Sequence, residues 1–120
     1  MTQGAATGEL ERLARNESTF RDANERVGTT ARRLGMDRPI PFICECGRRN
    51  CTTIVRVLPA DYERVRAHPT HFLYANGHAA GMPESHVIET LEGAVIVEKN
   101  GVPARVARET DPRGASRNGQ

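Results

Sequence analysis

The chain has 120 residues and a formal net charge of +2, from 17 basic and 15 acidic residues. Apolar residues make up 38%, aromatics 4%, and there is no Trp. That length allows one domain with a modest core, the charge balance argues against a dedicated nucleic-acid binder, and no apolar run approaches the roughly 18 residues of a membrane span. All the basic residues but Lys99 are Arg, a bias that fits a GC-rich genome better than a site.

Met1 to Gly8 are small and polar and are expected to be a disordered tail. They carry neither the basic nor the apolar segment of a secretory signal. Free thiols without such a signal point to a cytoplasmic protein.

Residues 9–35 are predicted to form an amphipathic helix. Leu13, Phe20, Val27 and Leu34 fall on one heptad position; Leu10, Glu17, Asn24 and Ala31 fall on the other. The simpler expectation is a helix laid on its own domain. The sharper one is a coiled-coil face that docks another protein or a second copy of the chain, with Leu13, Phe20, Asn24 and Val27 as contacts and Asn24 fixing register. Gly35 suits the helix stop.

Residues 36–112 are read as one α+β domain. Phe42 to Cys44 and Thr52 to Val57 have strand character, with Gly47 to Asn50 as the turn of a hairpin. A short helix begins at Leu58-Pro59, shows Leu58, Tyr62 and Val65 on one face, and stops before His68-Pro69. His71 to Ala75 is a strand leading to the turn Asn76-Gly77-His78. Val87 to Leu91 and Ala94 to Lys99 flank the two-residue turn Glu92-Gly93, and the alternation of Val95, Ile96 and Val97 predicts a strand buried on both faces. Val102 to Glu109 is open between an edge strand and a helix, because Pro103 fits either. Residues 113–120 are expected to be a second disordered tail.

The chemistry concentrates in Cys44-Glu45-Cys46-Gly47-Arg48-Arg49-Asn50-Cys51, which holds every cysteine of the chain. Three thiols cannot all pair, and a disulfide across one residue is strained. Such a set suits a soft metal, best Zn²⁺, held by thiolates at about 2.3 Å. A fourth ligand is then required. His68 and His71 flank a proline without paired-ligand spacing, and His86 adjoins an apolar strand. His78 follows a tight Asn-Gly turn that can push an imidazole toward another loop, and is the preferred ligand. The competing reading, three reduced structural cysteines, is weakened by Glu45, Arg48, Arg49 and Asn50, which mark the segment as exposed and polar.

Beyond these residues, Ala14 to Glu17, Phe20-Arg21, Asn24 to Arg26, Phe42 to Gly47, Cys51-Thr52, Asp61 to Glu63, Pro69 to Phe72, Gly77-His78, Val97 to Lys99 and Glu109 to Arg113 together resemble a set of small uncharacterised actinobacterial proteins. The resemblance covers residues 14–113. It implies a three-Cys, one-His pattern with the His in a Gly-His pair, matching Cys44, Cys46, Cys51 and His78. It implies no activity.

The sequence therefore predicts an N-terminal helix followed by a small zinc-stapled antiparallel sheet with one short helix, carrying one Zn²⁺ per chain. Four ligands dominated by thiolate describe a closed structural site rather than a catalytic one. The deaminase, zincin, hydrolase-elbow and phosphate-loop signatures are absent, leaving a cysteine nucleophile activated by His78 as the minor enzymatic alternative. The expected role is a non-enzymatic protein-interaction or regulatory module. Alternatives are a nucleic-acid-binding knuckle using Arg48 and Arg49 and a thiol switch that releases zinc on oxidation.

Overall fold

A computed structural model describes residues 2–114, with side chains from Gly8 onward. Helix α1 (Thr2–Arg33) is followed by strands β1 (Ile40–Ile43) and β2 (Ile54–Val57), helix α2 (Pro59–Arg66), strands β3 (His71–Ala75), β4 (Ser85–Leu91) and β5 (Ala94–Lys99), and helix α3 (Gly101–Glu109). The architecture is α+β, as the sequence predicts. Two details differ from expectation. The strands form two sheets rather than one, an antiparallel β1-β2 pair and a three-stranded antiparallel β3-β5-β4 sheet. A second short helix, α3, takes up the segment around Pro103, which sits in its first turn where a missing N–H costs nothing.

Helix α1 starts at Thr2, so the expected tail at residues 1–8 is helical wherever it is described. Extending an established helix gains one hydrogen bond per residue fixed, and Ala5 and Ala6 favour it. The helix stops as predicted at Gly35, whose φ of +67° closes the end. Met36 N–H bonds Ala31 C=O at 2.9 Å and Gly35 N–H bonds Arg32 C=O at 3.0 Å, the paired bonds of a glycine-terminated helix.

Strand β5 is central and buried along most of its length, as the Val-Ile-Val alternation predicts. One edge of the sheet, β3, is covered by the β1-β2 knuckle. Glu45 N–H bonds Leu73 C=O at 2.8 Å, and the Glu45 carboxylate accepts Leu73 N–H at 2.9 Å. The core joins Phe42, Val55, Tyr62, Val65, Phe72, Leu73, Tyr74, Val95 and Val97, with Phe42 stacked on Tyr62 at 4.5 Å between ring centroids. On α2 it is Pro59, not Leu58, that joins Tyr62 and Val65 inside.

Helix α1 packs on its own chain. Ala14, Glu17, Ser18, Arg21, Asn24 and Ala31 are buried, Leu13, Phe20 and Val27 are half-buried, and Leu34 stays 70% exposed. The heptad seam is thus split. Its Glu17-Asn24-Ala31 half faces inward, while Leu34 at the other end faces water. Asn24 is corrected from a partner contact to an internal clamp. Its Nδ2 donates to Ile43 C=O and to Glu45 Oε2, both at 2.8 Å, and its Oδ1 accepts Ile43 N–H at 2.9 Å. A buried amide is retained there because it completes the edge of β1.

The C-terminal segment is also tied down. Arg113, expected to begin a disordered tail, donates to Glu25 and Glu63, and its N–H bonds Asp111 Oδ1 at 2.9 Å. Asp111 and Glu25 in turn hold the buried Arg66 guanidinium of α2. Arg21 donates to the carbonyls of Pro69 at 2.7 Å and Ala107 at 2.9 Å, and lies over the Phe72 ring. Arginine suits these sites because one planar fork serves several acceptors at once. Residues 115–120 of the predicted tail lie outside the described residues.

Candidate metal centre

Strand β1 ends at Ile43 and delivers Cys44 and Cys46 into the interior; the turn after Gly47 brings Cys51 back three residues before β2 begins at Ile54. Gly47 makes this approach feasible. Its φ is +77°, and a Cβ there would lie 2.7 Å from Glu17 Cγ and 2.9 Å from the Leu13 carbonyl oxygen. The knuckle is therefore seated on α1, with Asn16 Nδ2 donating to Gly47 C=O at 3.2 Å. His78 arrives from the other side, on the turn that follows β3, with Gly77 at φ +85° and His78 N–H bonded to Ala75 C=O at 3.0 Å.

The ligand atoms of Cys44, Cys46, Cys51 and His78 all lie within 4.8 Å of one another. His78 Nδ1 stands 3.4 Å from Cys44 Sγ and 3.6 Å from Cys51 Sγ. Around a tetrahedral ion with metal–sulfur bonds of about 2.3 Å and a metal–nitrogen bond of about 2.0–2.1 Å, sulfur and nitrogen would be about 3.6 Å apart. The spacing fits a single metal ion, and all three cysteines are free. Among the described residues this is the one group of three or more His, Cys, Asp or Glu already placed to hold a metal ion.

Backbone N–H groups point at the sulfurs. Cys44 Sγ accepts Ala75 N–H at 3.2 Å. Backbone N–H groups also reach Cys46 from Arg48 and Cys51 from Thr53. Such outer partners orient the ligands and offset sulfur charge. Without a metal, burial pushes the Cys44 thiol up to about 12, and burial raises Cys46 as well. Burial acts on Cys51 in the same direction, but its Thr53 hydrogen bonds and neighbouring thiols bring it below the ordinary thiol value. A bound divalent cation reverses this balance and deprotonates a coordinating thiol.

The sequence argument from an exposed polar segment holds for Arg49 and Asn50 and fails for Glu45. Glu45 is fully buried. Its carboxylate accepts from Tyr62 O–H, Asn24 Nδ2 and Leu73 N–H. Burial raises its pKa above the ordinary carboxylate value, and these donors partly offset the effect. Glu45 lies between two ligand residues and locks the knuckle to α1, α2 and β3 at once. A carboxylate flanked by Cys and followed by Arg-Arg looks solvated in sequence, and its burial follows only from three donors on distant segments.

A second buried carboxylate, Glu17, pairs with Lys99 Nζ at 2.8 Å and accepts from Tyr74 O–H. The chain's one lysine is therefore a core residue. Arg48 donates to Ala80 C=O at 3.0 Å, and Arg49 is exposed beside it on the knuckle tip. Both border the groove that contains Cys51 and His78.

No protein-family profile, no curated protein and no solved structure matches this chain. Among the described residues, no helix is long and apolar enough to cross a membrane.

Proposed function

We propose that the protein is a non-enzymatic zinc-binding module that engages another protein. The observation that carries the zinc assignment is the closed set of three sulfurs and one imidazole nitrogen within 4.8 Å. Three thiolates with one imidazole select a soft to borderline ion with tetrahedral preference, and Zn²⁺ is the commonest such ion. A set closed by four protein ligands keeps no position for substrate, which favours a structural role. The metal joins the knuckle to the turn after β3, two segments already docked through Glu45.

The partner-binding part of the reading rests on surface chemistry at the C-terminal end of α1. Val27, Ala31, Met36, Ile40 and Pro41 line an apolar groove of about 480 Å³ flanked by Arg26. Exposed Leu34 lies on the same helix end. This moves the docking surface from the whole heptad seam to its last turns. The actinobacterial resemblance is consistent with the ligand pattern and adds no activity.

Native mass spectrometry of protein purified without chelator tests the zinc assignment. One zinc per chain is expected. His78→Ala should lower affinity far more than His68→Ala. A folded, metal-free chain, or equal effects of the two substitutions, would refute it.

A further inference from the structure

Three residues with no part in the Cys3His cluster are aligned by strand register. His71 of β3 and His86 of β4 are both direct partners of Glu98 on central β5. Neighbouring strands lie about 4.8 Å apart, and directly paired residues project to the same side. The result is a row, His71-Glu98-His86, across all three strands. His71 Nε2 lies 3.8 Å from Glu98 Oε2, and His86 Nε2 lies 3.5 Å from Glu98 Oε1. The row opens toward solvent at one end: the side chains are 12%, 39% and 53% exposed for His71, Glu98 and His86.

We propose that His71, Glu98 and His86 form a second, open site for a borderline divalent transition ion such as Zn²⁺ or Ni²⁺. Two imidazoles and one carboxylate are donors of the right hardness for such ions, whereas thiolate-rich sets select softer ones. The ε-nitrogens already face opposite oxygens of one carboxylate, so side-chain rotations that draw the imidazoles toward Glu98 place all three donors on one ion. Three protein ligands leave positions for water or a small ligand, unlike the closed cluster of cysteines. Those positions face solvent beside a groove of about 380 Å³, lined by His68, His71, Ile88 and Ile96.

Asn100 Nδ2 stands 3.2 Å from His86 Nδ1. Ligation through Nε2 requires this amide to turn over, so that its oxygen accepts Nδ1–H and backs the ligating histidine. The His68 ring packs against His71 at 4.4 Å between centroids. Arg64, which borders the same groove, is paired with Asp61 and Glu89.

The test is a Zn²⁺ titration of untagged full-length protein, followed by imidazole ¹H–¹⁵N NMR. The expected result is a saturable step in which His71 and His86 shift together, separate from any step seen at His78. His86→Ala and Glu98→Gln should each abolish the His71 shift while leaving the His78 step in place. Asn100→Leu should weaken the new step about tenfold. Absence of saturation at His71 and His86 up to millimolar Zn²⁺, or a step that survives both substitutions, overturns the proposal. Because His78 and the His71/His86 pair report separately, failure at one site is distinguishable from failure at the other.

Discussion

Asn24→Ala separates an internal clamp from a register residue between chains. In the folded chain the substitution removes three hydrogen bonds, two to the backbone of Ile43 and one to Glu45. The half-buried Ile43 N–H and C=O lose their partners at about 1 kcal/mol each, and the Glu45 carboxylate, fully buried, loses a donor worth about 2 kcal/mol. The total loss is about 4 kcal/mol, a large part of the roughly 5–15 kcal/mol that holds a domain of this kind together. With a urea slope of about 2 kcal/mol per molar, the unfolding midpoint of the metal-loaded protein should fall by about 2 M. Because Ile43 adjoins Cys44, metal affinity should fall as well. The assay is urea unfolding followed by circular dichroism, with mass in solution measured alongside. A midpoint within about 0.3 M of the parent would refute the clamp. A loss of dimer at unchanged stability would restore the intermolecular seam.

Metal removal should open the knuckle at residues 44–53 and the turn at 76–82, because metal binding and local folding are coupled there. Strand β3 is paired along its length with β5 and should keep its protection. Hydrogen exchange on holo and chelated protein reads this directly, and unchanged protection at 44–53 would show that the metal is no staple. Metal binding should release protons, since Cys44 and Cys46 are held protonated at neutral pH by burial and must ionise to ligate. Affinity should therefore rise with pH across 6 to 8, and calorimetry in buffers of different ionisation enthalpy should count at least about two protons; a flat profile would contradict thiolate ligation. Asp111→Ala should cost about 3 kcal/mol in urea unfolding, because it strips a carboxylate from the buried Arg66. An effect below about 0.5 kcal/mol would mean that Arg66 is held well enough without Asp111.

The sequence by itself determined the local elements and the donor set. Periodicity places α1, the Val-Ile-Val run makes β5 the buried strand, and Glu92-Gly93 makes the β4-β5 turn, because each depends on neighbours a few residues away. The cysteine spacing likewise points to a metal, since chelation by a hairpin is a local geometric property. His78 was reachable by elimination and by the tight Asn76-Gly77 turn before it. Tertiary structure alone decided burial of the charged residues. Glu45, Arg21, Arg66 and Lys99 look solvated in sequence and lie inside, each because donors or acceptors arrive from segments far along the chain. The same holds for Asn24, whose clamp on Ile43 needs α1 laid against β1, and for the His71-Glu98-His86 row, which exists only in the register of three strands. A polar side chain's fate is set by what meets it in space. Its own neighbours in sequence carry almost no record of that meeting.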